Sequence, residues 1–164
     1  MKPPIIRARE VNQDMDVLEG ERVARLLKNL IHEKTQVHPE SVDLTVKSIS
    51  RIATTGSVDF GGSEYAPGDK VALIPRKFTS KDKYGWWLLA TGEFLIEYNE
   101  EIFLPPHHLG IVQPHERLIE SGVTHNTRIL TEAGERVFSL IHVCQADIRI
   151  KENARISKLI VLQH

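Results

Sequence analysis

Hydrophobic residues follow a helical pattern only near the start of the chain. Five of them fall at helical spacing on one face: Val23, Leu26, Leu27, Leu30 and Ile31. Asp16, with Glu19 three residues later, has the sequence pattern of a helix N-cap and its reciprocal partner. The spacing therefore predicts one helix over residues 17–32.

After Pro39 the pattern changes to strand-like alternation. Val42, Leu44 and Val46 alternate with polar residues, which predicts a half-buried strand, and the alternation shifts near Ser48, which predicts a bulge or bend. Short apolar runs separated by turn residues then continue to the end of the chain, at residues 71–74, 86–90, 94–98, 102–104, 109–112, 123–130, 137–143, 148–150 and 159–162. Many short strands after one helix predict a mainly β fold, a barrel or sandwich with an N-terminal helix.

The length of 164 residues predicts a single domain. We divide it into a polar arm at residues 1–16, the helix at 17–32 and the β-structure at 39–164. A net charge of -1 gives no general attraction to nucleic acid or to a membrane surface. The single cysteine, Cys144, excludes an intramolecular disulfide. The hydrophobic pattern predicts neither a signal peptide nor a membrane-spanning segment. These features predict a cytoplasmic protein.

Turn and polar residues are concentrated in the stretch EYNEEIFLPPHHLGIVQPHERLIESGVTHNT, residues 97–127. The segment HPESVDL, residues 38–44, resembles the Pro-x-Ser-x-Asp-Leu signature of dCTP deaminases, and residues 88–123 are similar in layout to that family up to the glycine after its Arg-Ser-Ser-Leu motif. VTHNTRIL resembles the family's base-reading strand, and IRIKENARISKLIVLQ resembles its closing strands. The chain is thus identified as a member of the dCTP deaminase and dUTPase superfamily.

This resemblance implies a distorted β-barrel or jelly roll, a homotrimer with active sites between subunits, and dUTP or dCTP bound with Mg²⁺. Asp43 matches the first-motif aspartate, where a carboxylate suits hydrated magnesium. The alternative for Asp43 is a strand residue that bonds nearby backbone donors.

The second motif departs from the family, because His115, Glu116 and Arg117 stand where it has Arg-Ser-Ser. The resemblance assigns His115 and Arg117 to substrate binding, and Lys158 to phosphate contact. Glu116 would repel a triphosphate, since phosphates need cations and hydrogen-bond donors. The alternative is a solvated turn with local ion pairs.

Gly122, Asn126 and Thr127 resemble the dUTPase segment that reads the pyrimidine, and an amide beside backbone groups can distinguish uracil from cytosine. The alternative for Asn126 is a residue that satisfies a turn. The third-motif aspartate is replaced, so the catalytic candidates are Glu132 and Glu135, which are otherwise hairpin-turn residues. The glycine-rich tail of dUTPases is also missing after the last predicted strand.

Two functions follow from these matches and departures. The first is a magnesium-dependent deoxynucleoside triphosphate hydrolase that cleaves dUTP to dUMP and pyrophosphate or deaminates dCTP. The second is a catalytically inactive protein of the same fold that binds nucleotide or serves in assembly. A zinc deaminase is excluded because its metal site needs more than one cysteine.

Overall fold

The structure, a computed structural model, describes residues 14–131 and 133–163, with the backbone alone for residues 133–136. The described residues form three short helices, α1 Gly20–Ala24, α2 Glu33–Gln36 and α3 Glu116–Glu120. Their strands are β1 Asp16–Val17, β2 Leu27–Lys28, β3 Val37–His38, β4 Ser41–Ile52, β5 Lys70–Ala72, β6 Trp86–Leu89, β7 Gly92–Phe103, β8 His108–Pro114, β9 Val123–His125, β10 Arg128–Leu130, β11 Ala133–Val143, β12 Ile148–Lys151 and β13 Arg155–Gln163. This confirms the mainly β prediction. No helix of the described residues is long and apolar enough to cross a membrane.

Eleven of the strands form one antiparallel sheet in the order β10-β8-β13-β4-β7-β11-β9, with β1, β2, β3 and β5 paired beside this path. β6 and β12 form a separate two-stranded ribbon. Alternate residues of the long strands are apolar and fully buried between the layers, among them Leu44, Ile49, Ile96, Ile141 and Leu159. The sheet therefore curls around a single hydrophobic core.

The two ends of the curled sheet are adjacent in the sequence. β9 pairs with β11 at one end and β10 pairs with β8 at the other, and only Asn126 and Thr127 separate β9 from β10. Two side chains reach across this junction. His125 bonds to Ser157 of β13, and Arg128 donates to the carbonyl of Phe138 in β11. The Asn126–Thr127 link therefore joins the two edges of the barrel.

The predicted helix over residues 17–32 is wrong in extent, since only Gly20–Ala24 is helical there. Asp16 lies in β1, paired with Gln163, and the residue at the N-cap position is Glu19. Leu27 turns into β2 and pairs with Ile102, which buries it in the sheet. The apolar spacing that predicts a long helix arises from a short helix followed by a short strand. Of the predicted arm, residues 1–13 lie outside the described residues.

β4 confirms the predicted strand and its irregularity, because its register against β7 shifts between Val46 and Ser48. It is not half-buried, however, since Asp43 and Thr45 are buried along with their apolar neighbours. The apolar runs at residues 94–98 and 102–104, which predict two separate strands, form one continuous strand, β7. β7 runs through Asn99, because Asn99 donates to Thr45 and Asn153, and the buried Glu100 accepts hydrogen bonds from Gln36 and Thr45.

Candidate functional site

Asp43 lies at the centre of a buried polar cluster where β3, β4 and β13 meet the start of α3. Its side chain has no exposed surface, and its Oδ2 atom lies 2.9 Å from Nε2 of His38, 2.9 Å from a guanidinium nitrogen of Arg155 and 3.5 Å from Nε2 of His115. The other oxygen, Oδ1, is buried without a hydrogen-bond partner among the described residues. The negative charge of Asp43 is thus balanced within this chain.

His115 caps α3. Its Nδ1 atom accepts a hydrogen bond from the backbone N–H of Arg117 at 3.1 Å. A ring nitrogen that accepts carries no proton, so the proton of the neutral ring is on Nε2, facing Asp43. Burial lowers the pKa of His115, although Asp43 opposes that effect. The predicted substrate-binding residue His115 is therefore placed as a neutral, nearly buried helix cap.

Lys158, predicted to contact phosphate, is paired with the glutamate that replaces the family's first serine. Its Nζ atom donates to Oε1 of Glu116 at 3.1 Å, and the two side chains are 30% and 77% exposed. The hydrogen bond from Lys158 lowers the pKa of Glu116. An exposed pair of this kind contributes little stability. Phosphate contact by Lys158 remains a prediction.

Arg117 is exposed and lines a hollow with several cationic residues. The hollow is a cavity of about 410 Å³ between α3, β6 and the β12–β13 turn, and its cationic lining residues are Arg117, Arg149, Lys151 and Arg155. The lining also includes the acidic Glu152, and Arg155 is already paired with Asp43. We call it the cationic cavity. Several positive charges around one concave space favour a multiply charged anion.

The predicted base-reading residues lie at the barrel junction. Gly122 turns the chain from α3 into β9 with φ at 79°, a conformation that favours glycine. Asn126 and Thr127 then line a cavity of about 150 Å³ with residues 138–140 of β11. We call it the junction cavity. It brings Asn126 and Thr127 together, but it shares no lining residue with the cationic cavity.

A buried chain of hydrogen bonds ends at Asn126. The Asn126 carbonyl can only accept, so Nδ1 of His125 donates to it at 2.8 Å, and Nε2 must accept from the Ser157 hydroxyl at 2.8 Å. Tyr98 then donates to Ser157 at 2.7 Å, and Ser139 donates to Tyr98 at 2.9 Å. Burial lowers the pKa of His125 and raises that of Tyr98, which keeps both groups neutral near pH 7.

The two predicted catalytic residues are placed only in part. Glu132 lies outside the described residues. Glu135 lies in β11, where its backbone pairs with Ile102 of β7. Their catalytic roles remain predictions, since the described side chains do not include either carboxylate.

The residues around Asp43 do not fit a hydrated magnesium ion. Magnesium retains several waters and prefers more than one oxygen ligand, whereas this single carboxylate is fully buried against Arg155 and two histidines. Within the part of the chain that the structure describes, no group of three or more His, Cys, Asp or Glu side chains is arranged to hold a metal.

Sequence reasoning missed the two closest partners of Asp43. The contact of His38 with Asp43 was predictable from the local sequence, because Pro39 and Glu40 form a tight turn that pairs β3 with β4 and brings His38 against Asp43. The contact of Arg155 with Asp43 was not. Arg155 reaches Asp43 from 112 residues away because β13 pairs with β4, and that pairing cannot be read from local pattern.

Comparison with known proteins agrees with this fold. The family model described as dCTP deaminase-like matches residues 12–164. The chain is 34% identical over 138 residues to a probable deoxyuridine 5'-triphosphate nucleotidohydrolase of Methanosarcina mazei, covering 82% of this chain and 77% of the relative. It is 24% identical over 157 residues to a protein of the same name from Archaeoglobus fulgidus, covering 91% and 89%.

Among solved structures, the fold matches the 2'-deoxycytidine 5'-triphosphate deaminase from Agrobacterium tumefaciens with a TM-score of 0.60 at 15% identity. That match covers 92% of this chain and about half, 49%, of the deaminase chain, and at this identity it shows the fold alone. The chain belongs to the dCTP deaminase-like family, within the dCTP deaminase and dUTPase superfamily.

Proposed function

We propose that this protein binds and hydrolyses a pyrimidine deoxynucleoside triphosphate, with dUTP as the first substrate to test and dCTP as the second. The main observation behind the proposal is the cationic cavity, where the exposed Arg117 lies beside Arg149 and Lys151. A triphosphate needs several positive charges and donors in one concave space. The similarity to archaeal proteins named as probable dUTP nucleotidohydrolases supports the same substrate class.

The base would be read at the junction cavity. Asn126 offers an amide that can both donate and accept, and Thr127 offers a hydroxyl. Uracil presents a donor at N3 between two carbonyl acceptors, whereas cytosine presents an acceptor at N3 beside an amino donor. The orientation of the Asn126 amide would therefore select between the two bases.

The separation of the two cavities supports a site shared between subunits. Arg117 and Asn126 line cavities with no residue in common, so one chain alone does not surround a whole nucleotide with both sets of groups. In a homotrimer, the cationic cavity of one copy would meet the junction cavity of the next copy. We propose this arrangement as the assembled form, in the cytoplasm.

For dUTP, water would add across the bond between the α- and β-phosphates. The water oxygen bonds to phosphorus, the bridging P–O bond breaks, dUMP and pyrophosphate leave, and Glu132 or Glu135 takes the water proton. For dCTP deamination, the water oxygen would bond to C4 and the exocyclic C–N bond would break. One water proton would pass to N3 and the other to the departing amino group, giving dUTP and ammonia. Both steps balance without an oxidant or reductant.

The deciding experiment follows pyrophosphate and ammonia separately from dUTP and from dCTP, with and without magnesium. Pyrophosphate from dUTP identifies a diphosphatase, and ammonia from dCTP identifies a deaminase. Glu132→Gln and Glu135→Gln should show which glutamate is the general base, because replacing the general base lowers the rate at least about 100-fold and replacing the other residue does not. Glu120→Gln, on exposed α3, is the matched control. If folded protein releases neither pyrophosphate nor ammonia from either nucleotide, the proposed hydrolysis is refuted.

A mixing experiment tests the shared site. Arg117→Ala and Asn126→Ala chains should each be inactive alone. After unfolding and refolding together they should regain about a quarter of wild-type turnover, because roughly one interface in four then carries both intact residues. If the mixture gains no activity over the separate variants, the site does not lie between subunits.

A second function, nucleotide binding without catalysis, is favoured by how three predicted site residues are engaged. Asp43 is neutralised by Arg155, His115 caps α3 and Lys158 is paired with Glu116. Under this alternative the protein binds dUTP or dCTP at equilibrium but releases neither pyrophosphate nor ammonia. Calorimetric binding that persists in the complete absence of turnover would establish it.

A further inference from the structure

An ordered loop carries large apolar side chains into solvent. The loop at residues 57–66, here the apolar loop, lies between β4 and β5 and is closed by reciprocal backbone hydrogen bonds between Ser57 and Ala66 at 2.8 and 3.1 Å. The Asp59 carboxylate fixes its turn by accepting from the N–H groups of Gly62 and Glu64 at 3.0 and 3.1 Å. The loop conformation is therefore set before any partner binds.

The side chains that this turn presents are not packed against their own chain. Phe60 is fully exposed, Val58 is 91% exposed and Tyr65 is 59% exposed. Isolated apolar residues are common on protein surfaces, but a cluster held on a stiff turn is typical of an interaction site. A partner that buries them would remove their apolar surface from water without first paying to order the loop.

A hollow on the same chain has matching chemistry. A cavity of about 660 Å³, here the apolar hollow, is lined by residues 72–74 and 86–88 together with Arg76 and Phe78. Ile74, Phe78 and Leu88 in this lining are 84%, 56% and 57% exposed. The indole N–H of the buried Trp87 already donates to the Leu73 carbonyl, so the ring adds apolar lining without an unsatisfied donor. The hollow thus suits an aromatic and a β-branched side chain.

The two surfaces carry opposite charge. Residues 57–69 around the apolar loop contain three acidic residues and no basic one, namely Asp59, Glu64 and Asp69. Residues 75–83 beside the apolar hollow contain four basic residues and one acidic one, namely Arg76, Lys77, Lys81, Lys83 and Asp82. Opposite charges around complementary apolar centres orient an association and exclude the reverse pairing. An acidic loop also disfavours the anionic surface of a membrane.

We propose that the apolar loop of one copy inserts Val58 and Phe60 into the apolar hollow of a second copy. Because loop and hollow are different patches, the contact is head-to-tail, and it closes into a ring when the rotation between copies permits. Glu64 then lies towards the basic segment that includes Arg76. The occupant is a second copy because this same chain carries both the apolar loop and the apolar hollow, with residues of opposite charge beside them.

Cysteine cross-linking tests the contact directly. In a Cys144→Ser background, chains with Phe60→Cys are mixed with chains with Leu88→Cys under mild oxidation. A disulfide needs Cα atoms within about 7 Å, so the mixture should give at least about fivefold more covalent dimer than Phe60→Cys mixed with Ile129→Cys, an exposed control on β10. Equal cross-linking to both partners would overturn the contact.

Charge reversal provides the second measurement, made by sedimentation without nucleotide, so its result does not depend on nucleotide binding or turnover. Glu64→Arg should raise the dissociation constant about tenfold, and Arg76→Glu added to it should restore association to within about threefold of wild type. Wild-type affinity in Glu64→Arg would refute the proposal. So would Phe60-dependent binding to phosphatidylcholine vesicles by protein that remains monomeric.

Discussion

The carboxylate of Asp43, which has no exposed surface, lies 2.9 Å from the guanidinium of Arg155. The two residues lie on neighbouring strands, since β4 and β13 pair antiparallel through Asp43 and Lys158. A buried charge must be paired or it destabilises the fold. The ion pair between Asp43 and Arg155 therefore holds two central strands together. The family resemblance predicts a metal ligand at the position of Asp43.

Replacing Arg155 should destabilise the protein strongly. Arg155→Met leaves Asp43 buried with only His38 and His115 as partners, so the free energy of unfolding should fall by about 3 kcal/mol. Lys158→Met is the matched control, because its pair with Glu116 is exposed to solvent and contributes little stability. Urea unfolding measures both variants. Equal losses in the two would show that the Asp43 pair is not an anchor.

Removing the Tyr98 hydroxyl should also weaken the fold. Tyr98→Phe breaks the chain from Ser139 to Ser157 and leaves the buried Ser139 hydroxyl without its acceptor. A buried group left unsatisfied costs about 1–3 kcal/mol. Tyr65→Phe, on the exposed loop, should change stability by less than about 0.5 kcal/mol. Chemical unfolding in which Tyr98→Phe behaves like that control would contradict the hydrogen-bond chain.

Stability should decline in mildly acidic solution because of His125. Burial lowers its pKa in the folded protein, so below the unfolded value of about 6.5 the unfolded chain takes up a proton that the folded chain does not. The free energy of unfolding therefore falls as pH drops from 7.5 to 5.5. His125→Gln should make this dependence shallower without abolishing it, because burial also lowers the pKa of His115. Thr124→Ser, exposed on the same strand, should keep the wild-type slope. An unchanged slope in His125→Gln would contradict this account.

Local pattern predicts the parts of this fold that depend on neighbouring residues. The alternation of Val42, Leu44 and Val46 gave β4, and its shift near Ser48 gave the bulge that the register against β7 confirms. The local hydrophobic pattern gave a wrong prediction where pairing with a distant strand determines the structure. The helix ends after Ala24, because Leu27 pairs with Ile102 of β7, and the left-handed conformation of Asn29 turns the chain away from helix.

The candidate site was predictable to a similar degree. Asn126 and Thr127 do come together, because they are adjacent in the chain. The hydrogen bond that His115 accepts in capping α3 and the ion pair of Lys158 with Glu116 could not be predicted, since they depend on α3 and on the pairing of β13 with β8. The continuity of β7 was hidden for the same reason: the buried Glu100 is tolerated only because Gln36 and Thr45 supply its donors.

Binding of a pyrimidine deoxynucleotide is the claim on which both proposed functions depend, and calorimetric titration with a non-hydrolysable dUTP analogue tests it most directly. We expect a dissociation constant on the order of micromolar. Asn126→Ala should weaken it about tenfold, whereas the exposed Thr124→Ala should leave it unchanged. Folded wild-type protein that shows no binding at about 1 mM analogue, or Asn126→Ala that binds like wild type, would contradict the assignment of the junction cavity to the base.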